Sequence, residues 1–318
     1  MSFADKAPSS LDDEDSKENV EGNQMVDIEL YRNRLSLQSA TFSHIDHDDA
    51  MVSVVYRVTL ASGTQLILKI CPRTNDYLRE VYFLRHFADK LPVPRIMQLV
   101  YPENGVDGAI LMECLPGTLL KSSQFTNALA YEIGSQLACI HLNRVAGYGD
   151  LTQPHGLSQD SRVHFTLKFE EGIDECRNHL PPAMLEQCRS YYDTHLDLFD
   201  AVDGPCMIHR DFRPGNLIVD KVQLLGIIDW SSGRASFAEE DFCSLEHGEW
   251  PNYPTSKESF LRGYASIRPV PNYGNIMPLL RISKSIATIG FTVKRGTWEN
   301  SSFRIYQFNR QFLETFFA

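Results

Sequence analysis

Two acidic segments between residues 209 and 230 contain the residue types that phosphoryl-transfer chemistry requires. The first is His209-Arg210-Asp211-Phe212-Arg213-Pro214-Gly215-Asn216, and the second is Ile227-Ile228-Asp229-Trp230. In the catalytic-loop pattern His-x-Asp-x-x-x-x-Asn, the aspartate accepts the proton of an acceptor hydroxyl and the asparagine binds Mg²⁺, which prefers hard oxygen ligands. The pattern therefore predicts Asp211 as the base, with Asn216 and Asp229 as metal ligands. The alternative is an Asp and an Asn that only satisfy backbone groups of a Pro-Gly turn.

The spacing of the two segments allows them to meet. Eighteen positions separate Asp211 from Asp229, which is enough for a loop and a tight hairpin. Transfer of a γ-phosphoryl group depends on charge neutralisation and in-line positioning more than on covalent chemistry. Local chain geometry is thus sufficient to build the predicted site.

Upstream residues predict the elements that would hold a nucleotide. Residues 54–60 have an alternating pattern rich in β-branched and aromatic side chains, which predicts a strand. The turn 61–64 joins it to a second predicted strand over residues 65–70. The second strand contains Lys69, and a helix with an N-cap at Thr74-Asn75 should follow, with Glu80 near its start. A strand lysine paired with a helix glutamate positions nucleotide phosphates, although either residue alone is more often a solvated surface charge.

In this order of motifs the chain resembles the aminoglycoside phosphotransferase and choline kinase-like family, small-molecule kinases with a protein-kinase-like fold. The resemblance covers residues 40–265, and the segment from Asp211 to Asp229 is its most specific part. It implies an α+β, bilobal fold with a small N-lobe of antiparallel sheet plus helix and a larger, mainly helical C-lobe. The expected divisions are an acidic tail over 1–26, an N-lobe over 27–114 and a C-lobe over 115–318.

The resemblance also assigns roles. It implies that Asp211 is the base, that Asn216 and Asp229 bind Mg²⁺, and that Lys69 and Glu80 position the phosphates of ATP or GTP. Residues 109–117 resemble the strand and hinge that hold adenine through backbone groups, which places Glu113 and Leu115 at the nucleotide. Residues 134–141 resemble the first large-lobe helix. His209 and Arg210 are then structural, and Asp241 is expected to cap a helix and brace the catalytic loop rather than touch substrate.

Two departures from the family pattern concern the phosphates. No glycine lies between Phe42 and Leu60, so a flexible Gly-rich phosphate loop is missing and the segment 47–53 stands in its place. Ser53 is the residue of this segment expected to donate a hydrogen bond to the nucleotide. Arg213 stands where protein kinases usually have lysine, and it either stabilises the transferring phosphoryl group or is a surface turn residue.

A protein kinase is the rival interpretation, because His209-Arg210-Asp211 matches the His-Arg-Asp motif of the protein-kinase catalytic loop. Three absences in the sequence argue against it: a Gly-rich loop, a Phe-Gly after Asp229, and an Ala-Pro-Glu segment. Only twelve positions separate Asp229 from Asp241, which leaves little room for a peptide-binding platform. A small acceptor is favoured.

Composition bounds the remaining possibilities. The 318 residues are 43% hydrophobic with a formal charge of −11, and residues 1–24 hold seven acidic residues against two lysines, which predicts a disordered acidic tail. No apolar run approaches a membrane span and no basic cluster indicates nucleic-acid binding. The seven scattered cysteines suggest core thiols rather than disulfides or a zinc site, so a soluble, cytoplasmic protein is expected. The oligomeric state is open.

The acceptor is the least determined part of the prediction. Helices are expected over 126–142, 183–200, 257–266, 276–295 and 302–317. Acidic residues near the expected acceptor cleft would favour a cationic, aminoglycoside-like or amino-alcohol hydroxyl acceptor, whereas a sugar is equally compatible; the acids are Glu170, Glu171, Asp174, Glu175, Glu240, Glu246 and Glu249. A solvated helix face is the alternative for these acids.

Four aromatic residues offer a second indication of a cationic acceptor. Their side chains would either form a cation-binding wall or belong to the ordinary core; they are Trp230, Trp250, Tyr253 and Trp298. A catalytically silent nucleotide-binding or scaffold protein with the same fold is the second functional hypothesis. The intact set of motif residues argues against it, and the glycine-free loop argues for it.

Overall fold

The computed structural model describes residues 26–45, 52–121, 124–221, 223–250 and 254–318. Its N-terminal part alternates short helices with an antiparallel sheet. The elements in chain order are α1 (Ile28–Arg34), β1 (Thr41–His44), β2 (Val54–Thr59), β3 (Gln65–Cys71), α2 (Thr74–Phe87), β4 (Ile96–Val100) and β5 (Gly108–Glu113). The predicted tail, apart from Val26, and residues 46–51 of the predicted phosphate segment lie outside the described residues.

The N-lobe sheet has the strand order β1-β2-β3-β5-β4, with antiparallel pairing throughout. Alternation along β3 decides which side chains face which layer, because successive side chains of a strand point to opposite faces. Leu66, Leu68 and Ile70 are buried in a cluster with Tyr31 of α1. Lys69 therefore faces the opposite side of the sheet, towards α2 and the rest of the molecule.

The C-terminal part is mainly helical. Its elements are β6 (Thr118–Leu119), α3 (Asn127–His141), α4 (Arg162–Cys176), α5 (Pro182–Thr194), β7 (Cys206–Ile208), β8 (Leu217–Asp220), β9 (Gln223–Ile227), β10 (Arg234–Ser236), α6 (Glu239–Ser244), α7 (Pro254–Ala265), α8 (Met277–Lys294) and α9 (Phe303–Phe316). The strands form two small sheets, β10-β7 and β6-β8-β9. A 3₁₀ turn over Pro214–Asn216 leads directly into β8, so the hairpin β8–β9 connects the two acidic segments.

Helices α3 and α7 cross in backbone contact. A methyl group added at Gly134 would lie 2.0 Å from the carbonyl oxygen of Phe260, and one added at Gly263 would lie 1.9 Å from that of Tyr131. Contacts this short are sterically forbidden, so the crossing requires glycine at both positions. The crossing fixes α3, the helix behind the catalytic loop, against α7.

One hydrophobic cluster spans both lobes, beside the separate cluster between α1 and the outer face of the sheet. The indole of Trp230, which directly follows Asp229, stacks on Phe83 of α2 with ring centroids 5.5 Å apart and lies 5.0 Å from Phe87. All three side chains are buried. Helix α2 belongs to the N-lobe by sequence but is anchored in the C-lobe by its aromatic face.

The described elements confirm much of the sequence prediction. The hairpin around Lys69, the hairpin between Asp211 and Asp229, and the five predicted helices are present, although the helix expected over 183–200 ends at Thr194 and is followed by a 3₁₀ segment. The expectation of one N-lobe helix was wrong, because α1 precedes the sheet. The N-cap at Thr74-Asn75 was also wrong: α2 begins at Thr74, and Arg73 occupies the cap position without a capping side chain.

Two further expectations bear on the class of protein. No helix within the described ranges is long and apolar enough to cross a membrane. None of the seven cysteines is in a disulfide, and burial raises the pKa of those in the core, such as Cys71 and Cys243, to about 12. Such thiols are protonated and unreactive at neutral pH.

Candidate active site

Lys69 is a buried side chain that connects the N-lobe sheet with α2 and with the segment after β9. Its Nζ lies 2.8 Å from Oε2 of Glu80 on α2 and 2.7 Å from Oδ1 of Asp229, which follows β9. The strand places the lysine and the second turn of α2 places the glutamate, so the pair forms as the sequence order predicts. Asp229 comes to the same ammonium although it is 160 positions further along the chain.

Burial and charge act in opposite directions on these groups. Burial alone would lower the pKa of Lys69, but the carboxylates of Glu80 and Asp229 raise it, so the ammonium stays charged. Burial raises the pKa of Glu80, and Lys69 opposes that rise. Burial also disfavours the charged form of Asp229, yet Lys69 and the Ser231 hydroxyl hold the pKa of this carboxyl well below its ordinary value.

Asp211 is held by two donors from its own loop. Its Oδ2 accepts hydrogen bonds from Nε of Arg213 at 3.0 Å and from Nδ2 of Asn216 at 2.8 Å. The same Nδ2 of Asn216 also donates to the carbonyl oxygen of Asp211. One carboxylate oxygen is thus fixed by the loop, while the side chain as a whole is 32% exposed and its Oδ1 faces no described donor.

The ionisation of Asp211 follows from these contacts. Burial raises the pKa of the carboxyl, but the positive charges of Arg213 and Lys284 outweigh it, and the pKa lies below the ordinary 3.8. Asp211 is therefore a carboxylate at neutral pH, ready to accept a hydrogen bond from a hydroxyl. Arg213 was left open as a surface residue or a phosphoryl ligand, and the structure places it beside the carboxylate.

The catalytic loop is braced from α6. Oδ2 of Asp241 accepts the N–H of His209 at 2.8 Å and lies 3.0 Å from Nε2 of His141, while Oδ1 accepts the N–H of Arg210. The hydroxyl of Tyr264 on α7 meets the other ring nitrogen of His141 at 2.8 Å. Asp241 braces the loop as expected, but it does not cap its helix, whose N-cap is Ala238. Sequence reasoning missed the parts that His141 and Tyr264 take in this network.

Unusual backbone angles mark both acidic segments. Arg210 has φ of 68° and Asp229 has φ of 63°, in the left-handed region that non-glycine residues seldom adopt. The brace from Asp241 holds the first, and the bonds from Lys69 and Ser231 hold the side chain of the second. Strained angles of this kind occur where the surrounding contacts fix a functional side chain.

Asn216 and Asp229 suit a magnesium ion. Because Nδ2 of Asn216 faces Asp211, its Oδ1 is left to act as an oxygen ligand. Oδ1 of Asp229 is taken by Lys69 and Ser231, and no described group donates to Oδ2. One amide oxygen of the buried Asn216 and one carboxylate oxygen of the half-exposed Asp229 match the few protein ligands that Mg²⁺ takes beside phosphate and water.

The three residues expected to contact the nucleotide outside the charged cluster differ in their availability to a ligand. The N–H of Leu115 donates to no described group and is available to a base, whereas the N–H of Glu113 is used by the carbonyl of Arg95 at 2.9 Å. The carboxylate of Glu113 pairs with Arg95 at 3.2 Å. Ser53 Oγ lies 4.0 Å from Sγ of Cys71 and forms no hydrogen bond with Lys69, Glu80 or Asp229. Its contact with phosphate stays a prediction.

Most of the acids expected to line an acceptor cleft are engaged with cations. The pairs are Glu170 with Arg189, Glu171 with Lys168, Asp174 with Arg177, Glu175 with Lys294, Glu240 with Arg234 and Glu246 with Lys257. The side chain of Glu249 lies outside the described part. These residues thus do not form the unpaired carboxylate lining that the sequence suggested.

Of the four aromatic residues considered for a cation-binding wall, Trp230 and Trp250 take the alternative of ordinary core. Trp230 is buried between α2 and His209, and Trp250 is buried against Phe125 and Phe260. Trp298 packs on Tyr306. Tyr253 is outside the described residues. The indoles of Trp230 and Trp250 thus belong to the core, whereas Trp298 is partly exposed and packs against it.

The model of a family described as the phosphotransferase enzyme family (APH) matches residues 48–274, which is more than half of the chain. The chain belongs to this family. Membership confirms the predicted small-molecule phosphotransferase that acts on a hydroxyl group, and it makes the protein-kinase interpretation unnecessary. A comparison with curated proteins finds no match.

Solved structures of phosphotransferases share the fold. Aminoglycoside phosphotransferase APH(4)-Ia, in a ternary complex with ADP and hygromycin B, is similar with a TM-score of 0.68 and 13% identity over 90% of this chain and 97% of that one. The gentamicin complex of APH(2″)-IIa has a TM-score of 0.65 and 18% identity, over 90% of this chain and 96% of that one. A GDP complex of aminoglycoside 2′-phosphotransferase-IIIa has a TM-score of 0.65 and 12% identity, over 91% of this chain and 95% of that one. The predicted bilobal, kinase-like fold is confirmed.

Proposed function

We propose that this phosphotransferase moves the γ-phosphoryl group of ATP or GTP to a hydroxyl of a small molecule, with Mg²⁺ bound by Asn216 and Asp229. The observation that carries the proposal is the ammonium of Lys69, which contacts Glu80 at 2.8 Å and Asp229 at 2.7 Å across the cleft. A cation held at this point is suited to the phosphates of a nucleotide. The nucleotide-bound state of the structural neighbours supports a nucleotide donor.

In the proposed reaction Asp211 orients the acceptor hydroxyl with its unengaged Oδ1. The hydroxyl oxygen forms a bond to the γ-phosphorus, the bond from that phosphorus to the β–γ bridging oxygen breaks, and the hydroxyl proton passes to Asp211. The low pKa of Asp211 fits a loose transition state, in which the nucleophile needs positioning more than early deprotonation. Bound Mg²⁺ would neutralise charge on the phosphates.

The remaining residues hold the phosphoryl group and the base. Arg213 lies 3.0 Å from Asp211 and is 29% exposed, so its guanidinium can reach a phosphoryl oxygen beside the base. Leu115 offers its N–H to the base of the nucleotide at the hinge. Division of the chain into an N-lobe over 27–114 and a C-lobe over 115–318 remains part of this proposal.

The test is transfer from ATP and from GTP, with Mg²⁺, to a panel of aminoglycosides, amino alcohols, sugars and hydroxy acids, read by product mass. Asp211→Asn should lower kcat by about 10²- to 10⁴-fold while nucleotide binding persists. Asp220→Asn, the same change at an exposed position of the β8–β9 hairpin, is the matched control. Nucleotide binding without any product would support the silent, scaffold-like alternative instead.

Aminoglycosides are a second candidate acceptor class. Two neighbours carry hygromycin B and gentamicin, and both molecules are cationic amino sugars. The paired state of Glu170, Glu171, Asp174, Glu175, Glu240 and Glu246 weakens this candidate for the present chain. The acceptor panel decides between cationic and other acceptors directly.

A further inference from the structure

Two cationic side chains on one face of α8 form no ion pair with any acidic residue that the structure describes. Lys284 donates from Nζ to the Ser244 hydroxyl at 3.0 Å, and Arg281 donates from Nε to Nδ1 of His247 at 3.3 Å. Positions 281 and 284 are one helical turn apart and therefore share a face. No carboxylate of a described residue lies within ion-pair distance of either side chain, and both are half-buried.

This face lies next to the catalytic loop. Asp241 and Ser244 are three positions apart on α6, so their side chains are neighbours along one face of that helix. Asp241 accepts the N–H groups of His209 and Arg210, the two residues before the candidate base. Lys284, held at Ser244, is thus about one helical turn from the loop, and its charge lowers the pKa of Asp211.

Among the described residues neither cation forms an ion pair, and the carboxylate whose pKa Lys284 lowers is that of the candidate base, Asp211. Burial and the charges of Arg281 and Lys284 lower the pKa of His247 to about 4, so this ring is neutral and adds no charge of its own. Glu246 pairs with Lys257 at 2.6 Å, and Glu240 pairs with Arg234 at 2.8 Å. The ammonium of Lys284 thus lies near the candidate base without an ion-pair partner of its own among the described residues, and it can donate a charge-assisted hydrogen bond to an anionic group of a ligand.

We infer that the acceptor carries an acidic group, a carboxylate, which Lys284 binds so that the hydroxyl of the same molecule reaches Asp211. Arg281 adds a second positive charge on the same face. The acceptor class is then hydroxy acids, including sugar acids and hydroxy amino acids, in place of polycationic amino sugars. This inference rests on the proposed phosphoryl transfer, and it assigns to Lys284 the choice of acceptor.

The experiment compares acceptors in pairs that differ only in the acidic group. Glucuronate is compared with glucose, glycerate with glycerol, galacturonate with galactose and homoserine with its amide, each with Mg²⁺ and the better of ATP and GTP. The acid of at least one pair should have a kcat/KM about tenfold or more above its neutral partner, since one charge-assisted hydrogen bond has this effect. Kanamycin and ethanolamine serve as cationic acceptors.

Three variants show whether Lys284 makes the choice. Lys284→Met should raise the KM for the acid about tenfold or more and remove the preference over its neutral partner. Lys284→Arg keeps the charge and should retain most of that preference. Lys294→Met, also on α8 but paired with Glu175 at the surface, is the matched control and should leave the preference unchanged.

Each outcome decides the inference. Preferred turnover of cationic or neutral acceptors overturns it and leaves phosphoryl transfer intact. An equal fall in kcat for all acceptors in Lys284→Met also overturns it, because the anion at Lys284 would then be the transferring phosphoryl group. Without turnover, calorimetric binding of the four acids to protein loaded with Mg²⁺ and a non-hydrolysable ATP analogue is decisive. Binding that Lys284→Met abolishes supports the inference although transfer has failed, and no binding overturns it.

Discussion

At the scale of single residues, the two oxygens of the Asp211 carboxylate have different roles. Its Oδ2 is occupied by Arg213 and Asn216, and its Oδ1 accepts no hydrogen bond from a described residue. The same division recurs at Asp229, where Oδ1 is held by Lys69 and Ser231. Each acid thus has one oxygen that fixes its orientation and one that remains for a ligand.

The first prediction concerns the charge of Arg213. Arg213→Met removes the cation nearest to Asp211, so the pKa of this carboxyl should rise towards or above its ordinary 3.8. In the wild type the acidic limb of a kcat/KM profile should lie below that value, because the folded-state pKa is depressed. In the variant the limb should move to higher pH. An unmoved limb in the pH–rate profile would show that another group sets it.

A second prediction concerns the buried pair of Lys69 and Glu80. Lys69→Met leaves the Glu80 carboxylate buried without its cation and should cost about 3–5 kcal/mol in unfolding free energy. Adding Glu80→Gln removes the unpaired charge and should restore part of that loss, while transfer activity stays absent in both proteins. Urea denaturation of the wild type, the two single variants and the double variant measures the interaction free energy of the pair. Additive losses would mean that the two side chains do not interact as the 2.8 Å distance indicates.

These residue types could be predicted because their chemistry is local or ordered along the chain. The pattern from Asp211 to Asn216 specifies its own loop, and the order of strand lysine and helix glutamate was enough to predict the pair of Lys69 and Glu80. The contact of Lys69 with Asp229 was not predicted. The cation at Lys284 could not be predicted, because nothing near position 284 in the sequence shows that α8 returns to the catalytic loop. Ion pairing of the acids is likewise a tertiary property that composition does not contain.

At the scale of secondary-structure elements, the catalytic loop is held by three helices. Helix α6 supplies Asp241, α3 supplies His141 and α7 supplies Tyr264. Asp241 and His141 are almost fully buried. In low-dielectric surroundings a network whose donors and acceptors are all engaged holds the loop in one conformation.

This network gives the third prediction. Asp241→Asn replaces one acceptor oxygen with an NH₂ group that faces existing donors, so it should cost about 2–4 kcal/mol and reduce kcat through loss of loop position. Tyr264→Phe removes only the outermost hydroxyl and should cost about 1 kcal/mol. Urea denaturation measures the loss of unfolding free energy in each of the two variants. Equal losses for the two variants would contradict an order in which Asp241 is central.

The fourth prediction uses the start of α6. Burial raises the pKa of Glu239 to about 7, above its ordinary 4.5, although its carboxylate accepts the N–H of Asp203. The folded state therefore binds more protons, and stability should fall as pH rises from 4.5 to 7. Glu239→Gln removes this proton linkage, so its unfolding free energy relative to wild type should increase by about 3 kcal/mol over that interval. Parallel stability curves would refute the raised pKa.

Elements were predicted well where periodicity is strong and poorly where packing decides. Helices α8 and α9 have apolar residues at helical spacing and were placed to within two residues. Helix α1 has only seven residues and gains its stability from Tyr31 and Leu35 against the sheet, which the sequence does not reveal. The start of α2 was displaced by one residue because Thr74 looks like a cap, yet lies inside the helix.

At the scale of the whole molecule, the boundary between the lobes in sequence is not a boundary in packing. Helix α2 places Phe83 and Phe87 against Trp230, in the same hydrophobic cluster as α3 and α8. Arg79 adds a bond to Asp150 at 2.6 Å, and His86 lies 3.0 Å from Asn143. The face of α2 that an isolated N-lobe would expose is apolar.

The fifth prediction follows from this shared core. The described lobes should unfold in one transition, with coincident curves from tryptophan fluorescence and far-UV circular dichroism, and a fragment of residues 27–114 should not fold alone. Trp230→Ala should cost about 3–5 kcal/mol. Trp298→Ala, at a partly exposed position near the C-terminus, is the control and should cost less. Two separate transitions would show independent lobes.

The crossing of α3 and α7 has a consequence for sequence variation. Since a side chain at Gly134 or Gly263 would enter the backbone of the opposite helix, neither position can change alone without separating the helices. Relatives that keep this crossing should therefore show glycine at both sites, and relatives that lose one glycine should lose the other. The pair forms a two-position signature that can sort members of a large and divergent family by how closely α7 approaches the helix behind their catalytic loop.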